Sequence, residues 1–163
     1  FYPELNLLQQ LRCFGDIDHM HRYMIDRWNS VVGKRDLVYV LGDFAINKKS
    51  IKFADQLNGR KKLILGNHDK FHIKDYMKYF DDVKGVVEYK KWDLILSHYP
   101  LHPQSMWNFK DKKPKVNVCG HTHKVDIISE SDGVTYINVG VEALDYTPIR
   151  LDAVLKLAGL TDE

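Results

Sequence analysis

The chain has 163 residues, enough for one ordinary domain with a real core, and its composition is near the globular average. Its longest apolar runs, such as Leu37 to Leu41, are strand-sized, so no membrane span is expected; no targeting segment is visible ahead of Phe1. A formal charge of +2 is too small to announce a polyanionic partner, and two cysteines, Cys13 and Cys119, exclude a disulfide scaffold and point to a reducing, cytoplasmic setting.

In chain order, Glu4 to Leu11 reads as a short amphipathic helix. Asp16 or Asp18 can cap a second helix running to about Val32, with Met20, Tyr23, Met24, Arg27 and Trp28 at helical spacing and Gly33 ending it. Leu37 to Leu41 predicts a buried strand halted by Gly42-Asp43. A helix over about Ser50 to Leu57 leads to a strand, Lys62 to Leu65, halted by Gly66-Asn67. Strand, helix, strand implies neighbouring parallel strands. A helix near Ile73 to Phe80 follows. The pattern then changes to short strands: Val83 to Tyr89, Asp93 to Leu96, Lys115 to Cys119, Val125 to Ile128, Val134 to Val139 and Leu151 to Lys156. The expected fold is a single α/β domain over residues 1–163 with two sheets packed face to face.

Four short sequences each follow a predicted strand directly: Gly42-Asp43, Gly66-Asn67-His68-Asp69, Ser97-His98 and Gly120-His121-Thr122-His123. Loops at the carboxyl ends of strands are where open α/β sheets place ligands, and glycine lets the backbone turn sharply there. These loops deliver two carboxylates, one amide oxygen and four imidazoles. An oxygen-and-nitrogen set without thiolate suits Mn²⁺, Fe or Zn²⁺ at a catalytic centre and argues against a structural zinc site.

The ordered series Gly-Asp, Gly-Asn-His-Asp, His, Gly-His-Thr-His resembles the calcineurin-like metallophosphoesterase family, and the stretch from Ile137 to Glu142 resembles its small bacterial and phage members. The resemblance implies a two-sheet sandwich flanked by helices (α/β/β/α). It also implies hydrolysis of a phosphodiester or phosphomonoester by a metal-bound hydroxide at two divalent ions, with Mn²⁺ foremost and Fe, Zn²⁺ or Ni²⁺ as alternatives. Carried over residue by residue, Asp43 bridges the metals; Asn67, His98 and His121 hold one metal, and His123 helps hold the other. His68 assists the leaving group, and Asp69 holds the His68 ring.

The family pattern also has an Asp-x-His at the end of a first strand. Asp16-Ile-Asp18-His19 contains none and lies at a helix start, so the expectation is that the first strand, roughly ten residues ending in Asp-x-His, directly precedes Phe1. His72 and His102 have no motif support, and Cys119 reads as a small buried hydrophobe. The lysine-rich loop Leu101 to Pro114 carries Trp107 and Phe109, either substrate-stacking residues or part of an ordinary surface excursion. The expected substrate is a small phosphate ester or nucleotide. A nuclease is disfavoured for want of a basic stripe, and a non-catalytic protein-binding module on the same fold is the reading from another class.

Overall fold

The structure is a computed structural model that describes residues 17–106 and 116–160. The predicted opening helix and residues 107–114 of the lysine-rich loop, Trp107 and Phe109 included, lie outside the described residues.

Helix α1 (Ile17–Val31) comes first. Its apolar side is half-buried, with the Trp28 indole donating to the Asn58 carbonyl at 2.9 Å. Strand β1 (Leu37–Val40) pairs in parallel with β2 (Arg60–Ile64), and β2 in parallel with β3 (Asp82–Lys84). The segment between β1 and β2, Lys48–Gln56, forms 3₁₀ turns rather than an α-helix, capped by Asn47 Oδ1 accepting the Ser50 N–H at 3.0 Å. The following helix, α2 (Ile73–Tyr76), is shorter than the expected Ile73 to Phe80. β1 also departs from expectation: it is half-buried rather than buried, and Leu37 is exposed.

The predicted strand Val83 to Tyr89 is two strands. β3 ends at Lys84, the chain passes Gly85, and β4 (Val86–Tyr89) joins the other sheet. That five-stranded sheet adds β5 (Leu94–Ser97), β6 (Val116–Cys119), β7 (Ile128–Ser131) and β8 (Val134–Asn138), in the order β4-β5-β6-β8-β7. The β5–β6 and β6–β8 pairs are parallel, while β4–β5 and β7–β8 are antiparallel. β7 sits three residues later than predicted. Asp132 and Gly133, both at positive φ, make the tight turn that sets its register against β8.

Leu151 to Lys156, expected as a strand, is instead helix α3 (Leu151–Leu157). Leu151, Val154, Leu155 and Ala158 recur at helical spacing, and Val154 and Leu155 are buried. Gly159 at φ +66° closes the helix: its N–H reaches the Lys156 carbonyl at 3.1 Å, and the Leu160 N–H reaches the Leu155 carbonyl at 2.8 Å. This paired closure needs the left-handed residue that glycine supplies.

The alternation of β2 defines the layers. Ile64 packs with Leu94, Leu96, Val116, Val118 and Ile137 of the second sheet, so the two sheets meet face to face. Leu63 points the other way, into Ala45, Ile51, Ala54, Tyr76 and Phe80 beneath the 3₁₀ turns and α2. The outer face of the five-stranded sheet buries Ile95 and Val134 under Met106 of the 3₁₀ turn Pro103–Met106. The result is the expected mixed α/β fold of two sheets flanked by helices.

Asn117 sets the path of the loop after β5. It is fully buried in β6; its Nδ2 donates to Ser97 Oγ at 2.8 Å and to the Ile95 carbonyl at 3.3 Å, while its Oδ1 accepts the Leu101 N–H at 2.8 Å. These bonds bracket residues 98–100. Asn117→Ala leaves several buried polar groups unpaired, each loss costing about 1–3 kcal/mol. The expected outcome is a lower urea midpoint at unchanged m-value; an unshifted midpoint would show that the bonds are replaceable.

Candidate metal centre

The motif loops leave the carboxyl ends of β1, β2, β5 and β6, and both sheets present these ends to one place. Gly42, at φ +88°, turns the chain after β1, and Asp43 follows at φ +55°. A Cβ on Gly42 would run into the His98 imidazole and come within 2.8 Å of the Gly66 Cα, so only glycine permits this approach.

The turn exposes successive backbone N–H groups, and Asp69 collects them. Its Oδ2 accepts from Asp43 N at 2.6 Å and Gly66 N at 3.0 Å; its Oδ1 accepts from Phe44 N at 3.1 Å, Ala45 N at 3.4 Å and the Tyr76 hydroxyl at 3.4 Å. Asp69 is buried. Burial and then the Asp69 charge push the Tyr76 hydroxyl up to about 12, so it stays a donor. This corrects the expectation that Asp69 holds the His68 ring: its carboxylate is spent on the backbone of both loops. The His68 ring itself is exposed, and its backbone N–H donates to Asp43 Oδ1 at 2.8 Å.

With Oδ1 so engaged, Asp43 turns Oδ2 toward His98 Nε2 at 3.4 Å. The same Nε2 lies 3.0 Å from Asn67 Oδ1. His98 is buried, and its Nδ1 meets the Leu41 carbonyl at 2.8 Å. A carbonyl only accepts, so Nδ1 carries the proton and a neutral ring offers Nε2 as a bare lone pair. That nitrogen lies beside a carboxylate oxygen and an amide oxygen, three atoms of the kinds that ligate a cation. His121 completes the group: ligand atoms of Asp43, His98 and His121 lie within 4.8 Å of one another. Desolvation first, then the neighbouring His98, holds the His121 imidazole below its ordinary pKa, which favours the neutral form a metal requires.

These residues fit a cation. Ligands about 2.1 Å from one ion and 90–110° apart are separated by about 3.0–3.4 Å, and the Nε2–Asn67 and Nε2–Asp43 separations are 3.0 and 3.4 Å. Asp43, Asn67, His98 and His121 thus come together at one place. His123 stands apart from that cluster, and its Nδ1 meets Glu142 Oε1 at 3.1 Å. Both His121 and His123 sit at positive φ, +67° and +51°, a backbone cost that packing around them must offset.

Other expectations resolve simply. His72 and His102 are exposed. Cys119 is buried, and burial pushes its thiol up to about 11, so it is no nucleophile. His19 lies within α1, where its ring is exposed. Trp107 and Phe109 are outside the described residues. Among the described residues no helix is long and apolar enough to cross a membrane. Sequence reasoning missed Glu142 as a partner of His123, although it closes the Ile137 to Glu142 stretch that had been singled out.

The sequence is 31% identical over 162 residues to the uncharacterized protein MJ1445 of Methanocaldococcus jannaschii, covering 90% of this chain and 79% of that one. It is 28% identical over 158 residues to the Gene 66 protein of Mycobacterium phage L5, covering 78% and 76%. Among solved structures, the protein of unknown function AQ665 from Aquifex aeolicus superposes with a TM-score of 0.66 at 26% identity, over 96% of this chain and 94% of that one. A novel archaeal phosphodiesterase shares the fold at a TM-score of 0.53 and 23% identity, over 76% and 78%. The profile of the calcineurin-like phosphoesterase superfamily domain matches residues 13–152. With that match spanning every motif loop gathered at the sheet ends, the chain belongs to the calcineurin-like phosphoesterase superfamily.

Proposed function

We propose that this protein hydrolyses a small phosphate ester or nucleotide, phosphodiester or phosphomonoester, at a centre of two divalent ions. The observation that carries the reading is the convergence of Asp43 Oδ2, Asn67 Oδ1 and His98 Nε2, three lone-pair donors, beside His121. Asn67, His98 and His121 would hold one ion, Asp43 would be shared, and His123 would serve the other. Mn²⁺ is the first candidate for this mixed oxygen and nitrogen set, with Fe, Zn²⁺ and Ni²⁺ as alternatives. Bound cations would supply Lewis acidity to the phosphoryl oxygens and make a water acidic enough to attack at neutral pH.

The chain's own residues divide the remaining work. Asp43 holds the His68 backbone at 2.8 Å with one oxygen while the other faces the ligands, so the metal cluster and the His68 loop share one anchor. The exposed His68 imidazole makes no hydrogen bond among the described residues, which leaves it available to a substrate. In this reading it donates a proton to the departing oxygen. Asp69 keeps both loops in register without touching the ring.

His68→Ala is expected to leave metal content nearly unchanged. It should slow an ester with an alkoxide-like leaving group by roughly 10²–10⁴-fold, the usual worth of a positioned acid. A nitrophenyl ester, which leaves without help, should lose much less. Equal losses on the two esters would leave His68 an electrostatic role alone.

Asp43→Asn should lose bound metal and turnover together, as measured by metal analysis of the purified protein beside an ester assay. Retention of both would refute the bridging role. A metal-loaded wild-type protein that turned over no phosphate ester would instead support the binding-module reading.

A further inference from the structure

His123 and Glu142 come from different loops, one after β6 and the other after β8. They meet through Nδ1 and Oε1 at 3.1 Å, with the Glu142 side chain only 10% exposed and the His123 side chain 47% exposed. At neutral pH a carboxylate carries no proton, so the nitrogen facing it must. A neutral imidazole left to water prefers the opposite form, with the proton on Nε2. The Glu142 contact therefore selects one tautomer and leaves Nε2 as the lone pair.

The loop that carries Glu142 is built to hold still. Asn138 is buried; its Nδ2 donates to the Lys124 and Asp126 carbonyls at 2.8 and 3.3 Å, and its Oδ1 accepts the Gly140 N–H at 2.9 Å. One side chain thus ties the His123 loop to the Glu142 loop. Further along, the Ala143 N–H bonds the Gly140 carbonyl at 3.0 Å and the Tyr146 N–H bonds the Val141 carbonyl at 2.8 Å. Arg27 of α1 grips Asp145 at 2.8 Å.

We infer that Glu142 is a positioning residue that fixes the ring and tautomer of His123 so that its Nε2 is presented to a metal ion. The metal part of this role rests on the reading above, whereas the tautomer does not. Carboxylates placed behind ligand imidazoles also raise their basicity, and their removal typically weakens metal binding by about 10–100-fold.

The test uses the whole chain, metal-free at pH 8, with histidine nitrogens read by ¹⁵N NMR, followed by titration with Mn²⁺ alone. In the wild type, His123 should be the Nδ1–H form. In Glu142→Ala it should shift mainly to Nε2–H, with Mn²⁺ affinity lower by about 10–100-fold and the remaining amide spectrum unmoved beyond the two loops. A wild-type His123 carrying its proton on Nε2 overturns the inference without any variant, so an unfolded Ala variant would not shield it. A Glu142→Ala protein that keeps the Nδ1–H form, or binds Mn²⁺ as the wild type does, also overturns it. Absence of ester turnover alongside the expected tautomer and affinity would sink the hydrolase reading and leave this one standing.

Discussion

Everything at the metal centre hangs on the buried carboxylate of Asp69. Five donors converge on its two oxygens: four backbone N–H groups and the Tyr76 hydroxyl. A buried carboxylate with no partner is strongly disfavoured, and one that accepts this many bonds is stabilised by them. The donors in turn need it. Residues 43–45 leave a left-handed turn with three consecutive N–H groups pointing inward, an arrangement that attracts an anion. Asp69 is that anion, supplied by the chain itself. Because it also takes the Gly66 N–H, the ends of β1 and β2 are locked together before any ligand arrives.

The lock then propagates outward. Asp43, its backbone held by Asp69, uses one oxygen to hold the His68 N–H and keeps the other for the cluster. His98 repeats the device across the sandwich: it belongs to the five-stranded sheet, yet its Nδ1–H bonds the Leu41 carbonyl at the end of β1. The buried imidazole therefore stitches the two sheets together at the edge where their ligands meet. Asn117 keeps its loop from sliding. A cation placed among Asp43, Asn67, His98 and His121 would bind across the sandwich, drawing ligands from both sheets. The scaffold has already met the cost of orienting them, which is why the oxygens and nitrogen stand at ligand-to-ligand spacings.

The family was legible because the signals are local. Each apolar run ends in a glycine and a polar side chain, so strand, turn and donor can be read within a few residues at Gly42-Asp43, Gly66-Asn67 and Gly120-His121. What could not be read depends on direction in space. The resemblance assigns Asp69 to the His68 ring beside it in sequence; the turn sends its carboxylate back toward residues 43–45 instead. Leu151 to Lys156 fits both a strand alternation and a helical stripe over so few residues, and the decision is made downstream, where Gly159 closes a helix. The strand Val83 to Tyr89 was read as one because its residues favour extension throughout. Only the partner sheets reveal that the chain changes ladders at Gly85.

The two histidines held by their Nδ1 atoms show how one requirement is met in two environments. His98 is buried beside a strand end, where a backbone carbonyl is within reach, and a neutral acceptor suffices to set its tautomer. His123 is half-exposed in a loop where it and His121 are left-handed and where Asn138 bonds the carbonyls at 124 and 126. At that exposure water would compete with a weak acceptor. A carboxylate from a second loop solves this problem, since a charged acceptor holds better against water and reaches farther than a backbone group. The solution also leaves the two imidazoles unequally held. His98 is held at strand ends and moves only with the core, whereas His123 depends on two surface loops tied to each other by Asn138, with Arg27 of α1 holding the Glu142 loop through Asp145. Loops of that kind are where local opening concentrates, so the His123–Glu142 contact should open before the His98–Leu41 bond does.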